Sequence, residues 1–186
     1  MTVTVDEVLE FWFNETDRED WFERSDPFDR IVRERFSEAV ETARSGGFAD
    51  WRESARGCLA TIILIDQFSR NIYRDSPKAW SADDLGLACT HAALARGDDA
   101  QLDPDERKFL YMPLMHSEEL ADQERCVELF RALADDAPDQ TIALDFAIRH
   151  RDIIARFGRF PHRNAVLGRA STPEEAEFLK EPDSSF

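Results

Sequence analysis

The sequence predicts an all-α fold in a single domain spanning residues 1–186. Apolar residues recur at helical spacing in nearly every segment. Helix start and stop signals, namely Thr-x-x-Glu, Asp-Pro and closing glycines, punctuate the chain at short intervals. No stretch reads as a convincing strand. Loops this short force neighbouring helices to run antiparallel, so about eight or nine helices in antiparallel pairs are expected. A hydrophobic content of 42% with 11% aromatic residues supplies a core despite 33% charged residues.

Each element has its own warrant. Thr4 can cap a first short helix whose apolar face is Val5, Val8, Leu9, Trp12 and Phe13. Asn14 to Ser25 is polar and reads as a loop anchored by Trp21-Phe22. Asp26-Pro27 reads as an N-cap and N1 proline, opening a helix with Phe28, Ile31, Val32, Phe36, Ala39 and Val40 inward, closed by Gly46-Gly47. A third helix is predicted from roughly Asp50 to Tyr73. Its centre, Cys58 to Ile65, is apolar nearly all round and should be the buried central helix. Ser76-Pro77 begins a further helical region, with Ser81 as a second cap and Gly97 as its end. Asp103-Pro104 starts the next helix, which should kink or end at Pro113. Ser117 can cap a helix running to about Ala134, and Asp139 a long helix closed by Gly158. Thr172-Pro173-Glu174-Glu175 is a capping box for a short final helix.

Charge narrows the partners. A formal charge of −16 with only Lys78, Lys108 and Lys180 as lysines disfavours nucleic acid and anionic membranes. The acid excess also suits a protein of a salt-rich cytosol. Cys58, Cys89 and Cys126 are dispersed, odd in number and without a CxxC, which fits reduced thiols and a cytoplasmic location. No apolar run approaches a membrane span, and the N-terminus carries no signal-peptide pattern.

Three polar clusters interrupt the apolar pattern. Asp66 continues the buried face of the central helix at i+4 from Ile62, with Arg70 at i+4 beyond it. Gln67 and Asn71 form a second i,i+4 pair. The bland reading is an intrahelical ion pair and an amide pair. His116 precedes a helix start, with Glu118 close behind. Gln123 shares a face with Leu120, Val127 and Phe130. His150 lies on the apolar face of the long helix leading to the most basic stretch of the chain. From Ile148 to Ala170 there are six arginines against the single acid Asp152. Arg159, His162, Arg163, Asn164 and Arg169 sit there beside glycines and a proline. The bland reading is that these arginines bind carboxylates such as Asp66 and Glu118 bidentately in a buried network.

Other chemistries find little support. His116, His150 and His162 with Glu118 or Asp122 match no ligand motif such as HExxH, and adjacent arginines repel a cation, so no metal is expected. Ser69 and Ser117 lie in no GxSxG elbow. The absence of GxGxxG and of a P-loop lysine argues against nucleotide cofactors, and no cofactor is expected.

Val8 to Phe13, Asp66 to Arg74, Pro113 to Glu118 and Phe157 to Arg169 together resemble one family, the bacterial and archaeal domain of unknown function 924. Trp21-Phe22 and Asp122-Gln123 are similar to its pattern too, and the resemblance covers nearly the whole chain. It implies an all-α, tetratricopeptide-repeat-like right-handed superhelix, and no particular reaction. Ser69 stands where many members are expected to carry proline, which implies a central helix that runs on at that point.

Three functional readings follow. The leading one is a helical binding protein. In it Asp66, Gln67, Arg70, Asn71, His116, Glu118, Arg159, His162, Arg163 and Asn164 converge on one pocket for an anionic group of a small molecule or peptide. The second is an enzyme of hydrolase or phosphoryl-transfer type, with His116 or His162 as general base beside Glu118 or Asp66. The third is a structural or interaction scaffold, in which the clusters are a buried salt-bridge network and a protein partner binds elsewhere.

Overall fold

The computed structural model describes residues 3–182 and 184. Among them the only regular structure is helical. The chain divides into two compact units, 1–113 and 114–186.

The first unit opens with α1, Val5–Glu10, whose capping box pairs Thr4 with Glu7 as the sequence predicts. The helix widens into a π-helical turn over Phe11–Glu15. Trp21 is buried and donates its indole N–H to the Trp12 carbonyl at 2.9 Å, which ties the following loop down. Phe22 is 64% exposed, yet its ring stacks on the buried Phe109 with centroids 6.2 Å apart. Helix α2, Asp26–Arg44, is capped by Ser25 rather than by Asp26, because the Ser25 hydroxyl reaches the Phe28 N–H. Its inward face is Phe28, Val32, Phe36, Ala39, Val40 and Ala43, while Ile31 remains 45% exposed.

The predicted Asp50–Tyr73 helix is three pieces. A 3-10 turn, Ala49–Glu53, leads to Ser54, which caps α3, Ala55–Ile62. A π-helical segment, Ile63–Phe68, then carries the chain without a break into α4, Ser69–Ile72. Leu59 to Ile65 and Phe68 are almost wholly buried. Phe68 is the hub of the aromatic core, with ring centroids 4.7 Å from Phe36, 5.5 Å from Trp12 and 5.7 Å from Phe11. Gly57 is obligatory, because a Cβ there would lie 1.9 Å from the Trp51 carbonyl oxygen.

Helix α5, Asp83–Arg96, packs on α3 and ends at Gly97 in the left-handed conformation (φ 71°). Its start lacks the expected Ser81 cap. Helix α6, Pro104–His116, begins with reciprocal bonds between Asp103 and Glu106 and runs through Pro113 instead of stopping there. Pro113 falls in the last turn, so its missing N–H forfeits one intrahelical bond and the helix ends three residues later. Gly86 on α5 leaves room for the ring, since a Cβ would sit 3.7 Å from Pro113 Cγ.

The second unit is built on α7, Leu120–Asp136, and α8, Thr141–Phe157, joined by a tight turn and packed on each other. Cys126, Val127, Phe130 and Leu133 face Ala147, Ile153 and Ile154 in its interior. The expected side-chain caps are displaced at both starts. Ser117 accepts from the Glu119 N–H and donates to Asp122, and Gln140 rather than Asp139 precedes α8. Gly158 closes α8 with φ 67°. Phe160 is fully buried, Pro161–Arg163 forms a 3-10 turn, and the Thr172–Glu175 capping box starts α9, Pro173–Phe178.

Candidate functional site

The predicted residues fall into two polar centres, one in each unit. In the first, the π-helical segment presents Asp66 inward at 2% exposure, where a carboxylate requires partners. Gln67 Nε2 donates to its Oδ2 at 2.6 Å, and Arg70 pairs with its Oδ1 at 3.0 Å. The Arg70 guanidinium also forks onto both oxygens of Asp83 at 3.2 Å and bonds the Asp66 and Ala79 carbonyls. Burial opposes its charge, but Asp66 and Asp83 hold its pKa above the ordinary arginine value. The predicted Gln67–Asn71 amide pair is absent. Asn71 instead donates to Asp29 Oδ1 at 2.8 Å, because the wider π turn disrupts the i,i+4 stacking of a regular α-helix. Arg74 grips the same Asp29 through Nε and Nη2.

In the second unit, Glu118 takes both η nitrogens of Arg169, at 2.7 and 2.9 Å, and the Phe160 N–H at 2.8 Å. Burial alone would raise its pKa; these bonds outweigh that and hold it below the ordinary carboxylate value. Arg159 binds Glu175 bidentately, at 2.6 and 2.8 Å, and the hydrogen bonds from Arg159 hold Glu175 down at about 2. Asn164 links the two pairs, accepting from Arg169 Nε and donating to Ser171 and Glu175. Gln123 closes the corner before α7, its Nε2 reaching the Leu114, Met115 and Ser117 carbonyls.

Beside this lattice the three histidines gather. The His116 and His150 ring centroids are 6.4 Å apart, and Phe160 lies 5.5 Å from His150 and 5.6 Å from His162. Arg163 is buried, lies 4.4 Å over the Phe160 ring, and donates to the His116 carbonyl at 3.0 Å. His150 Nδ1 is 2.8 Å from the Phe146 carbonyl, which can only accept, so Nδ1 carries the proton. Burial, then the neighbouring positive charge, pushes His150 down to about 3. Burial and then Arg163 push His162 down to about 4. His116, Glu118 and His162 are half-buried and reach solvent, whereas His150 and Arg163 lie beneath.

Sequence reasoning found the arginines and missed several of their partners: Asp29, Asp83 and Glu175. Asp29 carried the same signal as Asp66, an acid among Phe28, Val32 and Phe36 on a buried helix face. The Thr172–Glu175 spacing marks Glu175 as a capping residue, and in the fold it caps α9 and binds Arg159 as well.

Cys58, Cys89 and Cys126 are buried free thiols, and burial raises the pKa of each, to about 11 for Cys89. Among the described residues, no three His, Cys, Asp or Glu side chains gather as metal ligands. No helix among them is long and apolar enough to cross a membrane.

Fold and site together define an all-helical protein with two arginine–carboxylate centres and a histidine cluster. The chain belongs to the family described as bacterial protein of unknown function, DUF924, whose model matches residues 8–183. It is similar to the solved structure of a protein of unknown function, ATU0120, from Agrobacterium tumefaciens. The two are 35% identical, the match covers 95% of this chain and 96% of that one, and the TM-score is 0.87. No curated protein matches the sequence.

Proposed function

We propose that the protein is a binding protein whose second unit holds an anionic group, a carboxylate or phosphate, at His116, His162 and Arg163. The observation that carries this reading is the layering of the cluster. Two half-buried imidazoles reach solvent above a buried guanidinium, with Arg169 close by. Glu118 is taken by Arg169 and Glu175 by Arg159, with Asn164 bridging the two pairs, so their part is to hold the shelf in place.

The low pKa of His162 favours recognition over proton transfer. A base titrating near 4 has little driving force to take a proton at neutral pH, whereas a neutral imidazole can donate to a bound oxygen. The scaffold reading is favoured for the first unit's Asp66–Arg70–Asp83 group, where the Arg70 guanidinium is taken up by two carboxylates and two carbonyls of the fold itself.

Titration of the intact protein with acetate, succinate and inorganic phosphate, read by imidazole ¹⁵N shifts, tests this. Saturable shifts at His116 and His162 are expected, weakened at least tenfold in Arg163→Gln and in His162→Gln. If none of the three anions moves His162 at concentrations on the order of 10 mM, the reading is wrong.

A further inference from the structure

A separate site lies in the first unit. Arg24, Asp26, Asp29, Arg30, Arg33, Asn71 and Arg74 line a cleft of about 280 Å³ between the start of α2 and the end of α4, with Asp75 at its rim. We infer that this cleft binds the phosphate group of a small phosphate monoester.

The floor is neutralised by the protein itself. Asp29 is 5% exposed and its two oxygens accept three hydrogen bonds from Asn71 and Arg74, so its charge is compensated within the fold. The walls are not neutralised. The Arg30 side chain makes no hydrogen bond or ion pair with any described residue. Arg33 gives Nη2 to the Ile72 carbonyl at 3.0 Å, a neutral acceptor that leaves its charge uncompensated. Arg24 meets Asp75 at 3.4 Å with both side chains largely exposed, a pair that solvent screens. Asp26 sits in the first turn of α2, where the helix dipole occupies it. Four guanidinium groups therefore face three carboxylates, in a chain whose formal charge is −16.

Geometry selects the ligand class. Arg30 and Arg33 are three residues apart on α2, so their side chains start on the same face about 5–6 Å apart. A carboxylate has two oxygens and satisfies one guanidinium fork. A phosphate monoester has three terminal oxygens and can satisfy two. A cleft of about 280 Å³ has room for the phosphoryl group and a small organic body. The chain's formal charge of −16 disfavours a nucleic acid backbone.

The test is calorimetric titration of the intact protein with phenyl phosphate and inorganic phosphate, with acetate as control. The wild-type protein should bind phenyl phosphate saturably and at least tenfold tighter than acetate. Arg30→Gln/Arg33→Gln should lose that binding at least tenfold, while Arg163→Gln keeps it. Arg30→Gln alone removes no contact of the fold, and it should weaken binding with an unchanged circular dichroism spectrum. Binding lost in Arg163→Gln but retained in the double variant would assign the phosphate to the second unit and overturn this site. Equal affinity for acetate, or weak binding indifferent to both variants, would overturn it as well.

Discussion

Arg169 shows how much of this protein is decided by single side chains. It makes four hydrogen bonds, two to Glu118 and one each to Asn164 and the Phe160 carbonyl. Arg169→Ala strands the half-buried Glu118 with one remaining donor, the Phe160 N–H, and should destabilise the protein by about 2 kcal/mol in chemical denaturation. The histidines add a pH dependence of definite sign. Folded His162 and His150 protonate only at about 4 and about 3, whereas their ordinary value is 6.5. Between those limits the unfolded chain binds more protons than the folded one, so stability falls as pH drops below about 6.5 and this contribution levels off near the folded values. Denaturation midpoints at pH 7, 6, 5 and 4 should show that decline, and His162→Gln should flatten it. Glu175 adds a second loss at lower pH, from its ordinary 4.5 toward about 2, as its bond to Arg159 is protonated away. Glu118 and the arginines were legible in the sequence because charges in an apolar pattern stand out. Their pairing was not, since Arg169 and Glu118 are 51 residues apart and nothing local couples them.

At the scale of the element, helices and most of their ends could be read from short-range chemistry. The Thr4 and Thr172 capping boxes and the left-handed glycines at 97 and 158 stand where the residues put them. The interior of the central rod could not be read so well. Periodicity predicts one helix there, but a nearly uniform apolar run carries no phase, so it cannot distinguish 3.6 residues per turn from a wider winding. Ser54 was also hidden, because its capping bond depends on the chain leaving the Ala49–Glu53 turn against Gly57. Gly57→Ala forces a Cβ into the Trp51 carbonyl and should cost about 3 kcal/mol or prevent folding, read from thermal denaturation. Gly46→Ala makes a useful comparison. It has open space around it and only the penalty of φ 82°, on the order of 1 kcal/mol.

Across the whole molecule, the excess of carboxylates sets the response to salt. A formal charge of −16 on 186 residues repels itself, and molar potassium chloride shortens the Debye length to about 3 Å. The melting temperature should therefore rise from low salt to molar potassium chloride; a flat or falling profile would show that the acids are compensated locally. The all-α class and the family were legible from pattern and motif. The division at residue 113 was not, because it falls inside α6, where composition does not change. The π-helical stretch from Ile63 to Phe68 makes the chain sensitive to length as well as to composition. A π turn is in effect an α-helix with one residue inserted. Deleting a residue there would let the rod relax to regular winding with its faces in phase, whereas inserting one more apolar residue beside Leu64 would exceed what the wide turn absorbs and turn everything beyond by about 100°. Asn71 and Arg74 would swing away from Asp29, leaving that carboxylate buried and bare. A one-residue insertion there is thus predicted to be more damaging than a one-residue deletion or many substitutions at the same positions, read from thermal denaturation.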